Sequence, residues 1–106
     1  MKSNAEEEQR MAAYFIVDQL EVTDPETMKV YAAGVADSLR AHNGRMLVRG
    51  GAFEVKEGDW TPKRVIVLEF DDMDALKGWY DGKAYEELKK LRLASSRSNA
   101  IMVEGV

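Results

Sequence analysis

Asp18 and Glu69 are set apart by their surroundings: each carboxylate interrupts a run of apolar and β-branched residues, at 14–22 and 64–70. A carboxylate in such company must be paired, hydrogen-bonded or protonated, because a desolvated charge is costly. One role for such a group is general base or acid, lining a cleft between sheet and helices. The ordinary alternative is a structural ion pair or an inter-subunit contact, since structural networks also perturb carboxylates. Arg92 is the candidate cation. It follows Leu88 by four residues and Tyr85 by seven, on the apolar stripe of a helix. There it can clamp a ligand carboxylate through two N–H groups, neutralise Glu69 or Asp18, or snorkel along the helix edge.

Arg49 and Arg64 flank the second and third strands and suit a pocket mouth that attracts an anion, although strand-end cations also discourage edge pairing. Tyr31, Trp79, Tyr80 and Tyr85 fall on helical stripes. Aromatics at that spacing are first of all core, while hydroxyls aimed into a cleft would be handles for a planar ligand. Trp60, in a turn, can pack across a dimer. His42 is of the residue type that can serve as a base, but its place at a helix end is explained by the last carbonyls. A lone His with scattered carboxylates makes no transition-metal site, and the chain has no Cys for thiolate or zinc chemistry. Gly50-Gly51 lacks the pattern of a phosphate loop. No cofactor is expected.

The elements that must position these groups can be read in order. Residues 14–22 read as a first strand. Asp24 caps a helix with Pro25 at its first position, and Met28, Tyr31, Ala32, Val35 and Leu39 form its apolar stripe. His42-Asn43-Gly44 ends that helix, with Gly44 suited to a left-handed residue. A second strand begins at Met46-Leu-Val-Arg49, breaks at Gly50-Gly51 and resumes at Ala52-Phe-Glu-Val55. Residues 64–70 form the third strand. Asp71-Asp72 caps a second helix, interrupted at Asp81-Gly82, and Ala100-Ile-Met-Val103 is the last strand. The order is βαββαβ, a ferredoxin-like α+β fold with a four-stranded antiparallel sheet and both helices on one face.

The 106 residues fit one domain, expected over 13–106, after a flexible tail over 1–12 in which Glu6-Glu7-Glu8 is solvated. With 15 basic against 19 acidic residues, a net charge of -4, the chain lacks the basic footprint of a nucleic-acid binder. It has no apolar run of membrane-spanning length and no secretory pattern at its start, so cytoplasmic residence is expected. The strands themselves are unusual. Ile66, Leu68 and Phe70 oppose Val65 and Val67; Tyr14, Ile16, Leu20 and Val22 oppose Phe15 and Val17; Ile101 and Val103 oppose Ala100 and Met102. Two helices cover only one face of such a sheet. The other face would expose an apolar patch larger than soluble monomers tolerate, and a second copy is the expected cover, as an isologous homodimer, with a different protein partner the weaker alternative.

Tyr14-Phe-Ile-Val, Val22-Thr-Asp-Pro25, Gly44-Arg-Met-Leu-Val-Arg-Gly-Gly51, Glu57-Gly-Asp-Trp60, Pro62-Lys-Arg-Val65, Glu69-Phe70, Trp79-Tyr80 and Val103-Glu-Gly105 together resemble the domain of unknown function 1330 family, over roughly residues 14–105. The resemblance implies the dimeric α/β-barrel superfamily, in which two ferredoxin-like sheets pack together, and it implies no single reaction. Relatives at that level include monooxygenases, haem-degrading enzymes, isomerases and proteins that only bind ligands. The haem-degrading pattern places a His on the second helix; the only His here is His42, so haem is not expected. The expected function is that of a homodimeric small-molecule-binding protein. Asp18 or Glu69 would supply cofactor-independent acid–base chemistry on a small metabolite. Arg92 and Arg49 would orient an anionic group, with Tyr31 and Trp79 as apolar wall and Arg64 at the mouth. The alternative is a non-catalytic dimer whose polar residues only fix the interface.

Overall fold

The structure, a computed structural model, describes residues 11–106. The Glu6-Glu7-Glu8 cluster and most of the expected tail lie outside the described residues. Four strands, β1 (Ala13–Val22), β2 (Arg45–Arg49), β3 (Val65–Phe70) and β4 (Ser96–Glu104), form one sheet in the order β2-β3-β1-β4. Every neighbouring pair is antiparallel. Helix α1 (Pro25–Arg40) joins β1 to β2, and α2 (Met73–Asp81) with α3 (Lys83–Ser95) joins β3 to β4. This is the ferredoxin-like α+β topology. No helix is long and apolar enough to cross a membrane among the described residues.

Local chemistry explains the boundaries. Asp24 caps α1 by accepting from the Thr27 amide at 3.2 Å, with Pro25 just behind it where a missing N–H costs nothing. Asp72 caps α2 by accepting from the Ala75 amide at 2.8 Å. Gly82 separates α2 from α3, because a Cβ there would run into the Gly78 carbonyl oxygen. Two sequence expectations need correction. Residues 52–55 are not a strand; the chain leaves the sheet after Arg49 and crosses to β3 as an extended loop. The left-handed residue after α1 is Asn43 (φ 54°), not Gly44. Gly44 is required for space instead.

The core lies between the helices and one face of the sheet. Phe15, Val17, Leu68 and Phe70 project from β1 and β3 toward Val35 and Leu39 of α1, Leu76 and Trp79 of α2 and Tyr85 of α3, all buried. Trp79 is fully enclosed: its ring centroid lies 5.4 Å from Phe70, 5.8 Å from Phe15 and 4.0 Å from Tyr85. Its indole N–H donates to Ser38 Oγ at 3.1 Å, and that hydroxyl donates to the Val35 carbonyl. The donor of the largest core side chain is thereby satisfied, as burial demands.

The opposite face carries Tyr14, Ile16 and Asp18 of β1, Val65, Val67 and Glu69 of β3, and Ile101 and Val103 of β4, aligned by register. Ile101 and Val103 stand exposed. A register shift between Gln19 and Glu21 moves Val22 to the helix side, against the simple alternation read from sequence.

A Cβ on Gly44 would come within 2.7 Å of the Phe70 ring and 3.0 Å of Leu39 Cδ2, two buried side chains with nowhere to go. Gly44→Ala should therefore cost about 1–3 kcal/mol, an overpacking penalty, read as a lower urea midpoint with unchanged slope. An unchanged midpoint would contradict this packing.

Candidate functional site

Toward the open end of the helix–sheet layer the core residues do not fill the space, and a cavity of about 400 Å³ remains. Phe15, Val17 and Gln19 of β1 and Ile66 and Leu68 of β3 form its floor; Met28, Tyr31, Ala32 and Val35 of α1 form its roof. Met46 and Arg49 of β2 and Arg64 close one side, and Arg92 of α3 with Ser98 of β4 the other. The walls are mostly apolar, and no carboxylate is among them. Both the size and the balance of apolar wall with few polar groups are those of a small-molecule site.

Arg92 is the unusual member. Its side chain is buried, with 7% of the residue exposed. Nε donates to the Tyr85 hydroxyl at 3.0 Å, and the guanidinium carbon stands 5.9 Å from the Phe15 ring centroid. Its Nη groups have no hydrogen-bond partner among the described residues but are not sealed from solvent, and no carboxylate pairs with it there. A buried charge without a counter-charge is costly, and such charges are ordinarily paired.

Tyr85 and Tyr31 continue the polar line, their hydroxyls 2.9 Å apart. Burial first, then the neighbouring Tyr85 hydroxyl, hold the Tyr31 phenol well above the ordinary tyrosine value, so it remains neutral. Ser98 borders the same cavity, but its Oγ is closed off from solvent and has no hydrogen-bond partner among the described residues. At the mouth Arg64 Nη1 donates to Gln19 Oε1 at 3.4 Å, a weak contact.

Four of the ligand-binding residues read from sequence, Tyr31, Arg49, Arg64 and Arg92, come together on this cavity. Trp79 does not. It is a core residue with its N–H already bonded, and the apolar wall is built from Phe15, Val17 and Leu68 instead. Asp18 and Glu69 are not in the cleft between sheet and helices. Both sit on the opposite face of the sheet, because strand alternation puts Phe15, Val17 and Ile66 on the cavity side and their neighbours on the other. Nor does Arg92 neutralise either one.

Asp18 ties down the loop between β2 and β3. Its carboxylate accepts from the Lys63 amide at 2.9 Å, the Trp60 indole N–H at 3.0 Å and, more weakly, the Arg64 amide at 3.4 Å. The Lys63 amide above all, with Trp60 and Arg64 adding to it, holds the Asp18 carboxyl below the usual aspartate value. Glu69 accepts from Arg45 Nε and from the Tyr14 hydroxyl, both at 3.0 Å, and Arg45 also pairs with Asp71 at 3.2 Å. Arg45 and then Tyr14 lower the Glu69 pKa. His42 rests against Gly78 and Gly82, outside the cavity. Among the described residues no cluster of His, Asp or Glu could hold a metal ion.

Sequence reasoning passed over Ser98, Gln19 and the direct contact of Tyr85 with Arg92. The last had a signal, the i, i+7 spacing on one helix stripe. Ser98 had a weaker one, two residues before Ala100 and four before Met102 on the same side of β4.

The model of the domain of unknown function DUF1330 matches residues 12–106, a span that includes every strand, every helix and the whole cavity lining. The chain belongs to the DUF1330 family. No curated protein matches its sequence. Among solved structures, this DUF1330 chain is similar to a protein of unknown function from Rhodopseudomonas palustris, with a TM-score of 0.70 at 13% identity over 97% of this chain and 91% of that one. It is also similar to SnoaB, a cofactor-independent oxygenase from Streptomyces nogalater, with a TM-score of 0.60 at 14% identity over 89% and 91% of the two chains. A hypothetical protein from Arabidopsis thaliana gives a TM-score of 0.60 at 12% identity over 92% and 88%. At these identities the likeness is one of fold.

The Asp18 bonds carry a pH signature. Its folded pKa is depressed, so the stabilisation it contributes is present above the unfolded value of ~3.9 and is lost as pH falls through the lower folded value. The Trp60 indole N–H resonance should hold its position from neutrality to below pH ~4 and shift only beneath that. In Asp18→Asn, where an amide N–H can face the indole donor, it should be shifted already at neutral pH. A wild-type shift completed above pH ~5 would contradict the assignment.

Proposed function

We propose that this protein is a homodimer that binds a small organic molecule in the cavity of each subunit. The observation that carries the reading is Arg92: a buried guanidinium, without a carboxylate partner among the described residues, on an apolar cavity of about 400 Å³. A bound anionic ligand would supply the missing counter-charge, and the apolar walls would supply most of the contact area. Asp18 and Glu69 serve structure in this reading, the first anchoring the β2–β3 loop and the second joining Tyr14 and Arg45. Cytoplasmic residence belongs to the same reading.

The two-fold partner is supported by the sheet face that bears no helix. Ile16, Val65, Val67, Ile101 and Val103 make it apolar, and the exposed Trp60, Phe53 and Val55 add to the apolar surface from the loop. Face-to-face packing of two such sheets is the association from which dimeric α/β barrels are built.

A catalytic reading is favoured by one feature, the Tyr31 and Tyr85 hydroxyls beside Arg92, taken with the fold shared with a cofactor-independent oxygenase. Fixed donors in a water-poor site can stabilise an oxyanion formed from a substrate without any cofactor. Tyr31, held neutral, would act there as donor and not as base.

Light scattering at micromolar concentration should return twice the chain mass, and Ile101→Asp should return the monomer; a monomeric wild type would overturn the dimer. Ile66 borders the cavity, so Ile66→Phe should fold with an unchanged or higher melting temperature and abolish the thermal shift given by any ligand found by screening. Retention of that shift would place the ligand elsewhere.

A further inference from the structure

We propose that the ligand is a small organic monocarboxylate, its carboxylate seated at Arg92 and its apolar body lying against Phe15, Val17, Val35 and Leu68; this rests on the ligand-binding function proposed for the cavity and narrows it to one chemical class.

The direction of the hydrogen bonds decides what the head group must be. Arg92 Nε has only protons to give, so the Tyr85 oxygen is the acceptor of that bond. Tyr85 is fully buried, and its other partner is the Tyr31 hydroxyl. The Tyr85 proton therefore goes to the Tyr31 oxygen, and the Tyr31 proton is left for the cavity, which Tyr31 lines and Tyr85 does not. The result is a one-way relay, Arg92 to Tyr85 to Tyr31, in which each bond polarises the next. It ends on a neutral phenol that donates.

The guanidinium at this end offers further donors. The Arg92 Nη groups have no partner among the described residues, and they can only donate. A head group entering at this point meets several donors and one full positive charge. An ammonium would be repelled, and an amide would bring one accepting oxygen and no charge to a guanidinium that can only donate. A carboxylate accepts at both oxygens and balances the single buried charge, and the planar guanidinium suits it. A phosphate monoester brings more charge than one guanidinium offsets. Arg49 and Arg64, both exposed at the mouth, help to draw an anion in without setting the head group.

The test compares matched probes by calorimetry, with methyl NMR of Val17, Val35 and Leu68 reporting where they bind: phenylacetate and octanoate, their primary amides, phenethylamine, and phenyl phosphate. The carboxylates should bind and perturb the cavity methyls, with the amides about ten-fold weaker or worse and the amine silent. Arg92→Met should erase the preference for carboxylate over amide. Tyr31→Phe should weaken the carboxylates several-fold and the amides less, and the acid-against-amide comparison in the unaltered protein decides the matter if either change disturbs folding. Equal binding of acids and amides at the cavity methyls would overturn the monocarboxylate and leave the cavity reading standing, as would tighter binding of phenyl phosphate. Failure of every probe to perturb those methyls would overturn both.

Discussion

Tyr85 joins the two halves of the layer between sheet and helices. Its ring packs on Trp79 in the core, while its hydroxyl, behind the cavity wall, accepts a hydrogen bond from Arg92 Nε. The position of the buried charge is thus fixed by the packing of an aromatic cluster, not by a flexible surface loop. Trp79 is in turn held by Ser38 and by the rings of Phe15 and Phe70. Preorganisation of this kind is what a binding site needs, because each group is already where the ligand must find it and little ordering remains.

The two faces of the sheet divide the work. On the helix side, aromatic packing at one end gives way to a cavity lined with Arg92, Tyr31 and Ser98. On the other side the carboxylates of Asp18 and Glu69 are consumed in local structure. Asp18 gathers two backbone amides and an indole from a loop without regular structure, which lets that loop lie against an apolar strand without leaving donors unmet. The carboxylates that looked conspicuous in the sequence are hydrogen-bonded into local structure, and the buried group whose terminal nitrogens have no protein partner among the described residues is the Arg92 cation.

Much of this was legible in the residues. The βαββαβ order followed from hydrophobic period and from the Asp24-Pro25 and Asp72 helix starts, and the strands apolar on both faces pointed to a sheet whose second face is not covered by helices. Arg92 stood out from its stripe. What sequence could not supply was the third dimension of a strand: alternation shows that Asp18 and Val17 face apart, but not which of them faces the helices. The register shift past Gln19 then reversed Val22. The pairing of Trp60 with Asp18 spans 42 residues and is set by tertiary geometry alone. Ala52-Phe-Glu-Val55 has strand composition yet finds no partner edge, and composition without a partner does not make a strand.

If Arg92 is buried for a ligand and not for the fold, the melting temperature of Arg92→Met tests it most directly. Methionine fills a similar volume without charge, and removing a buried charge that has no counter-charge among the described residues offsets the lost bond to Tyr85, which keeps its bond to Tyr31. The ligand-free variant should melt at or above the wild-type temperature. A melting point lowered by several degrees would show that the guanidinium holds the fold together, and would contradict a cation kept in the core for a ligand.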